Sequence, residues 1–221
     1  MSRATPMQQQ RATRAASLAS IGGVGIHRLP PWSIAPWSKG RHLAMNGNAH
    51  ERTRTRFDML DANGDGQLQR QDFQLLADRV IASQDEPLDS AKAQQARSAH
   101  EAYWQGLLDH ADTNGDGIVS FEEYAAAVRD SGAQDRFIRP YARAMVNLCD
   151  RDDDGRVERA DYLAYMAAVG FAPDRAASMF DQLDRAGEGN IRADAWAEVI
   201  CRYYGSPAED AVADQLIGSP S

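Results

Sequence analysis

Four twelve-residue windows, beginning at Asp61, Asp112, Asp150 and Asp184, share one template and constrain this chain more than any other feature. Each has glycine at its sixth position: Gly66, Gly117, Gly155 and Gly189. The eighth position is branched aliphatic (Leu68, Val119, Val157 and Ile191), and the residue after each window is aromatic (Phe73, Tyr124, Tyr162 and Trp196). Internal repetition decides the fold before single-residue propensities are weighed. Oxygen-bearing side chains at positions 1, 3 and 5, a glycine that turns the backbone at 6 and an acid at 12 form a cage for a hard divalent cation. The aliphatic at position 8 sits in a short extended segment that pairs with the same segment of a neighbouring loop.

The first three windows carry the full donor set. In the first it is Asp61, Asn63, Asp65, the carbonyl of Gln67, and Asp72. In the second it is Asp112, Asn114, Asp116, the carbonyl of Ile118, and Glu123, which is long enough to offer both carboxylate oxygens. In the third it is Asp150, Asp152, Asp154, the carbonyl of Arg156, and Asp161, with Glu158 adding charge at position 9. Aspartate at position 12 is one methylene shorter than glutamate. A lower coordination number suits the octahedral demand of Mg2+, so Mg2+ is expected to compete with Ca2+ at the first and third sites and the second is expected to select Ca2+. The fourth window has Ala186 at position 3, Ala195 at position 12 and Arg192 at position 9; it reads as a loop kept for pairing and not for metal.

Apolar residues recur at helical spacing on both sides of every window: Phe57, Leu60, Leu76 and Val80; Trp104, Leu107, Leu108 and Val128; Met145, Leu148 and Met166; Phe180, Leu183, Val199 and Ile200. Such stripes are core faces of amphipathic helices. Three tandem matches with a fourth decayed copy in register resemble the EF-hand, and the arrangement is similar to the calerythrin and sarcoplasmic calcium-binding protein family over residues 48 to about 204. The resemblance implies an all-α, compact fold of four EF-hands in two pairs, 48–132 and 133–204, with calcium ions as the bound partner. The tail 205–221 opens on Ser206-Pro207-Ala208-Glu209, a helix-start pattern, and is expected to form a short C-terminal helix.

The charge divides the chain. Residues 1–50 carry Arg3, Arg11, Arg14, Arg28, Lys39 and Arg41 and no acid, leaving all 32 acidic side chains to the remainder. Proline, glycine and the lack of any apolar period make 1–47 read as a disordered basic leader. It imitates a secretory signal or a transit peptide, but Gly22, Gly23 and Gly25 break its apolar stretch and no amphipathic helix is evident. Arginine-rich usage and the polar run into the first window favour translation from Met45, which mapping the native N-terminus would check.

An acidic body repels nucleic acid and anionic lipid. No apolar run reaches the roughly 20 residues of a bilayer span. A cytoplasmic monomer is expected. Cys149 and Cys201 read as small buried thiols, and no nucleophile, base and orienting group stand at a recognisable spacing, so catalysis is not expected. His100 and His110, on the helical stretch 89–111, read as solvent-facing. A calcium sensor opens a methionine-rich groove, whereas a buffer changes little. Met59, Met145, Met166 and Met179 all fall on apolar stripes, which favours a Ca2+ buffer over a sensor with a protein target.

Overall fold

The computed structural model describes residues 49–128 and 131–205, with side chains from 53 to 128 and 136 to 204. These residues all fall within the unit Leu43–Ser221. The basic leader and the expected C-terminal helix lie outside the described residues. Eight helices and two short strands follow one another: α1 (Ala49–Leu60), α2 (Arg70–Ser83), α3 (Ala91–Ala111), α4 (Phe121–Ala127), α5 (Ser131–Cys149), β1 (Arg156–Glu158), α6 (Arg159–Ala168), α7 (Pro173–Leu183), β2 (Asn190–Arg192) and α8 (Ala193–Gly205). The fold is all-α, and each of the four windows lies between two helices.

Sequence chemistry sets several helix ends. Ser90 caps α3 by accepting the Ala93 N–H. Pro173, whose fixed φ suits a first helical turn and whose missing N–H is not needed there, opens α7. Ser120 and Glu123 form a reciprocal capping box at the start of α4, with Ser120 N donating to Glu123 Oε2 at 3.0 Å. The acid at the last position of that window is therefore also the third residue of the exit helix.

The eighth positions pair as expected. Leu68 and Val119 exchange N–H···O bonds of 2.9 and 3.0 Å. β1 and β2 run antiparallel with Val157 opposite Ile191. All four aliphatics are buried. The post-window aromatics Phe73, Tyr124, Tyr162 and Trp196 are at most 2% exposed and act as the wedges of the core. Tyr162 packs against Trp196 with ring centroids 4.9 Å apart, and Tyr124 against Phe57 at 5.6 Å. Leu108, Leu183 and Val199 are only partly buried; the rest of the expected stripe residues are buried.

Helix α3 packs against both α2 and α5, and α5 also packs against α8. This double coverage overturns the expectation for His100. Its ring is 1% exposed, sits edge-on to Tyr141 at 5.0 Å and bonds through Nδ1 to the Ala96 carbonyl at 2.8 Å. His100 shares a helix face with Tyr103, Trp104 and Leu107, three, four and seven residues on, which places it within the stripe. His110 is half-buried, with Nε2 3.3 Å from the Ala127 carbonyl. Cys149 and Cys201 are buried free thiols as expected, and burial pushes the Cys149 thiol well up.

Candidate metal centres

In the first window Asp61 organises the loop. Its Oδ1 accepts from Gly64 N at 2.8 Å and Asp65 N at 3.2 Å, and its Oδ2 accepts from Gly66 N at 2.9 Å. Asn63 Oδ1 accepts from Asp65 N, and Asp65 Oδ1 from Gln67 N. The Asn63 and Asp65 side chains meet at 3.0 Å, so positions 3 and 5 converge. Asp72 returns from α2 and spans the ring, accepting from Asn63 N at 3.1 Å and Gln69 N at 2.8 Å. Burial, with the charges of Asp61 and Asp65 behind it, raises the Asp72 carboxyl above its usual range despite those bonds.

The second window repeats this with one difference. Asp112 accepts from Gly115 N and Gly117 N, Asn114 from Asp116 N, and Asp116 from Ile118 N, all between 2.8 and 3.0 Å. Glu123 reaches further and is more exposed: Oε2 takes the Ser120 N–H and hydroxyl, Oε1 the Thr113 N–H and hydroxyl. These bonds, those from Ser120 first, hold its carboxyl down to about 2. The carbonyls of Gln67 and Ile118 follow from the pairing. Leu68 and Val119 point their N–H groups at each other's loops, so in a trans peptide the preceding carbonyl points back toward its own loop.

The third window brings one carboxylate oxygen each from Asp150, Asp152 and Asp154 within 4.8 Å of one another. Asp150 accepts from Asp154 N and Gly155 N, and Asp154 from Arg156 N. Glu158 faces this group: burial first, then the charges of Asp152, Asp154 and Asp161, raise its carboxyl. Asp161 is differently placed from Asp72 and Glu123, with its Oδ1 3.5 Å from the Arg151 guanidinium.

The fourth window keeps the loop's skeleton. Asp184 accepts from Glu188 N and Gly189 N, both at 2.8 Å, as Asp61 and Asp150 do from the matching positions. Its fifth-position acid is engaged by a protein cation: Arg156, from the third window, lies 2.8 Å from Glu188. Arg192 is paired with Asp194.

The sixth-position glycines have φ between 78° and 88°, and a Cβ placed there would meet nothing within 4 Å, so backbone angle alone requires glycine. Sequence reasoning passed over position 4, which is also left-handed: Gly64, Gly115, Gly187 and, without glycine, Asp153 at φ 58°. Glycine at position 4 in three of four windows was the available signal.

The third loop gathers three carboxylates of the all-oxygen kind that suits a hard divalent cation, and the first two repeat its hydrogen-bonded frame around the first-position aspartate. The family of EF-hand domain pairs matches residues 51–129. A solved calcium-binding protein from Streptomyces coelicolor, described as acting in prokaryotic calcium-mediated regulation, is 31% identical. The match covers 72% of this chain and 99% of that one, with a TM-score of 0.64. The chain belongs to the EF-hand family. Calerythrin from Saccharopolyspora erythraea is 25% identical over 162 residues, which are 71% of this chain and 92% of calerythrin. The sarcoplasmic calcium-binding protein of amphioxus shares the fold, with a TM-score of 0.59 at 22% identity over 78% of this chain and 97% of its own.

This EF-hand protein is a calcium-binding protein of the calerythrin type. No described helix is long and apolar enough to cross a membrane.

Proposed function

We propose that the protein is a cytoplasmic Ca2+ buffer that fills three hands and keeps the fourth as a structural partner of the third. The ligands are Asp61, Asn63, Asp65, Gln67 and Asp72; Asp112, Asn114, Asp116, Ile118 and Glu123; and Asp150, Asp152, Asp154, Arg156 and Asp161. Calcium, when bound, supplies a fixed double positive charge that neutralises each ring of carboxylates. The chain contributes the loops, in which backbone N–H groups orient positions 1 and 5 and, in the first two, position 12 as well.

The observation that carries the buffer reading is the state of the apolar helix faces. Among the described residues the four methionines, Met59, Met145, Met166 and Met179, are all buried, and Leu88 is the one large apolar side chain exposed. A sensor must uncover a groove when metal enters; here the faces that would form it are spent on one core. Calorimetric titration is expected to give three calcium equivalents, with little calcium-dependent gain in fluorescence of a hydrophobic dye. Strong dye binding on calcium addition would instead favour a sensor acting on a protein partner. The likeness to the Streptomyces protein described in calcium-mediated regulation supports that second reading.

A further inference from the structure

The third loop is gripped at both ends by residues outside its own helix–loop–helix unit. Gln84, which follows α2 and is buried, donates from Nε2 to the main-chain carbonyl of Asp161 at 3.2 Å and to Ser83 Oγ at 3.1 Å. Lys92, in the first turn of α3, donates from Nζ to the main-chain carbonyl of Asp150 and pairs with Asp153 Oδ1 at 2.7 Å. Asp150 and Asp161 are the first and last ligand residues of that loop. Residues 84 to 92 are the connection between the first and second hands, so one short segment holds both termini of a site that belongs to neither.

The surroundings make the grip stiff. The Lys92 side chain is only 17% exposed although its partner Asp153 is 67% exposed. Asp153 holds the left-handed fourth position without glycine, a conformation that a fixed side-chain partner helps retain. Near the loop's entry, Asn147 Nδ2 on α5 donates to Gln95 Oε1 on α3 at 2.9 Å, tying the helix that leads into the loop to the helix that carries Lys92. Among the described residues the Gln84 Oε1 has no hydrogen-bond partner, so this buried amide is held by what its Nε2 does.

We propose that Gln84 and Lys92 are positioning residues for the third metal site, and that the 84–92 connection senses whether that site is filled. The inference rests on the calcium reading above. Drawing the first and last ligands onto an ion changes the separation of the two carbonyls that the connection spans. A segment bonded to both must move or stiffen with them, and it is continuous with α2 and α3 of the first two hands.

Hydrogen exchange of the full chain, with and without calcium, tests this. In the wild-type protein calcium is expected to slow exchange at amides within 84–92 by about fivefold or more. Asp152→Ala removes an exposed third-loop ligand and leaves the first two loops intact, so calorimetry should count two equivalents and the slowing at 84–92 should fall below about twofold. Equal slowing in both proteins overturns the proposal. Gln84→Ala, which leaves every loop ligand in place, is expected to weaken the third site about tenfold while the first two change little, as loss of one hydrogen bond to a ligand residue implies. An unchanged third site overturns it. Should Gln84→Ala fold poorly, Lys92→Met carries the same affinity test from a partly exposed position, and an unchanged third site there overturns the proposal equally. Three calcium equivalents without a response at 84–92 would sink this proposal alone, whereas no calcium uptake at all would sink the metal reading with it.

Discussion

Arg156, at the seventh position of the third loop, donates to Asn190 Oδ1 at 2.6 Å and lies 2.8 Å from the Glu188 carboxylate, the seventh and fifth positions of the fourth loop. A guanidinium thus stands on two side chains of the loop that carries Ala186 and Ala195 where the other three carry oxygen-bearing side chains. Restoring the missing ligands with Ala186→Asp and Ala195→Glu is expected to leave the fourth loop at least about tenfold weaker for calcium than the others, because the resident cation and Arg192 remain. Adding Arg156→Gln to the pair should recover part of the deficit. A fourth site as tight as the other three from the double substitution alone would contradict this account of the fourth loop.

The contrast between Asp161 and Glu123 predicts ion selectivity. Glu123 reaches far enough to accept four donated bonds through two oxygens, whereas Asp161, a methylene shorter, rests near Arg151. Millimolar Mg2+ is expected to weaken apparent calcium binding at the first and third sites and to leave the second nearly unchanged. Asp161→Glu should cut the magnesium effect at the third site by about tenfold. Competition calorimetry reads both, and equal magnesium sensitivity at all three sites would count against it.

Gly66 has φ 88° with open space around a would-be Cβ. Gly66→Ala therefore causes no collision and costs only the left-handed strain, about 1–2 kcal/mol. Urea unfolding of the metal-free protein is expected to show that loss, with first-site calcium affinity falling in step. A neutral substitution would mean the turn is not maintained in solution.

Burial lowers the His100 imidazole from 6.5 to about 4. Between those values the unfolded chain binds the proton and the folded chain does not, so stability falls as pH drops through that window. The loss is on the order of 3 kcal/mol by pH 4. His100→Phe, which keeps a ring against Tyr141, is expected to flatten the acid limb of a stability-against-pH curve while changing stability at pH 8 far less. An acid limb of unchanged steepness would assign it to other groups.

The loops were readable residue by residue because their geometry is local. Asp61 reaches Gly64 and Gly66 within five residues, and the position-6 glycine is demanded by a backbone angle that no distant contact alters. The same holds for Leu68 with Val119 and Val157 with Ile191, whose pairing follows from equal loop positions. His100 was misread because the stripe of one helix does not reveal that α3 is covered by both α2 and α5.

What the sequence alone determined, then, is the repeated cage: donor types, turn, pairing aliphatic and aromatic wedge, all set within twelve or thirteen consecutive residues by backbone sterics and ligand reach. Tertiary structure alone decided which loop's Asp161 and Asp150 are held by Gln84 and Lys92, which guanidinium stands on Glu188, and that His100 is dry. Those contacts join residues 32 to 77 positions apart, or depend on helices covering one another. Side-chain reach and packing register settle them, and neither is written in local spacing.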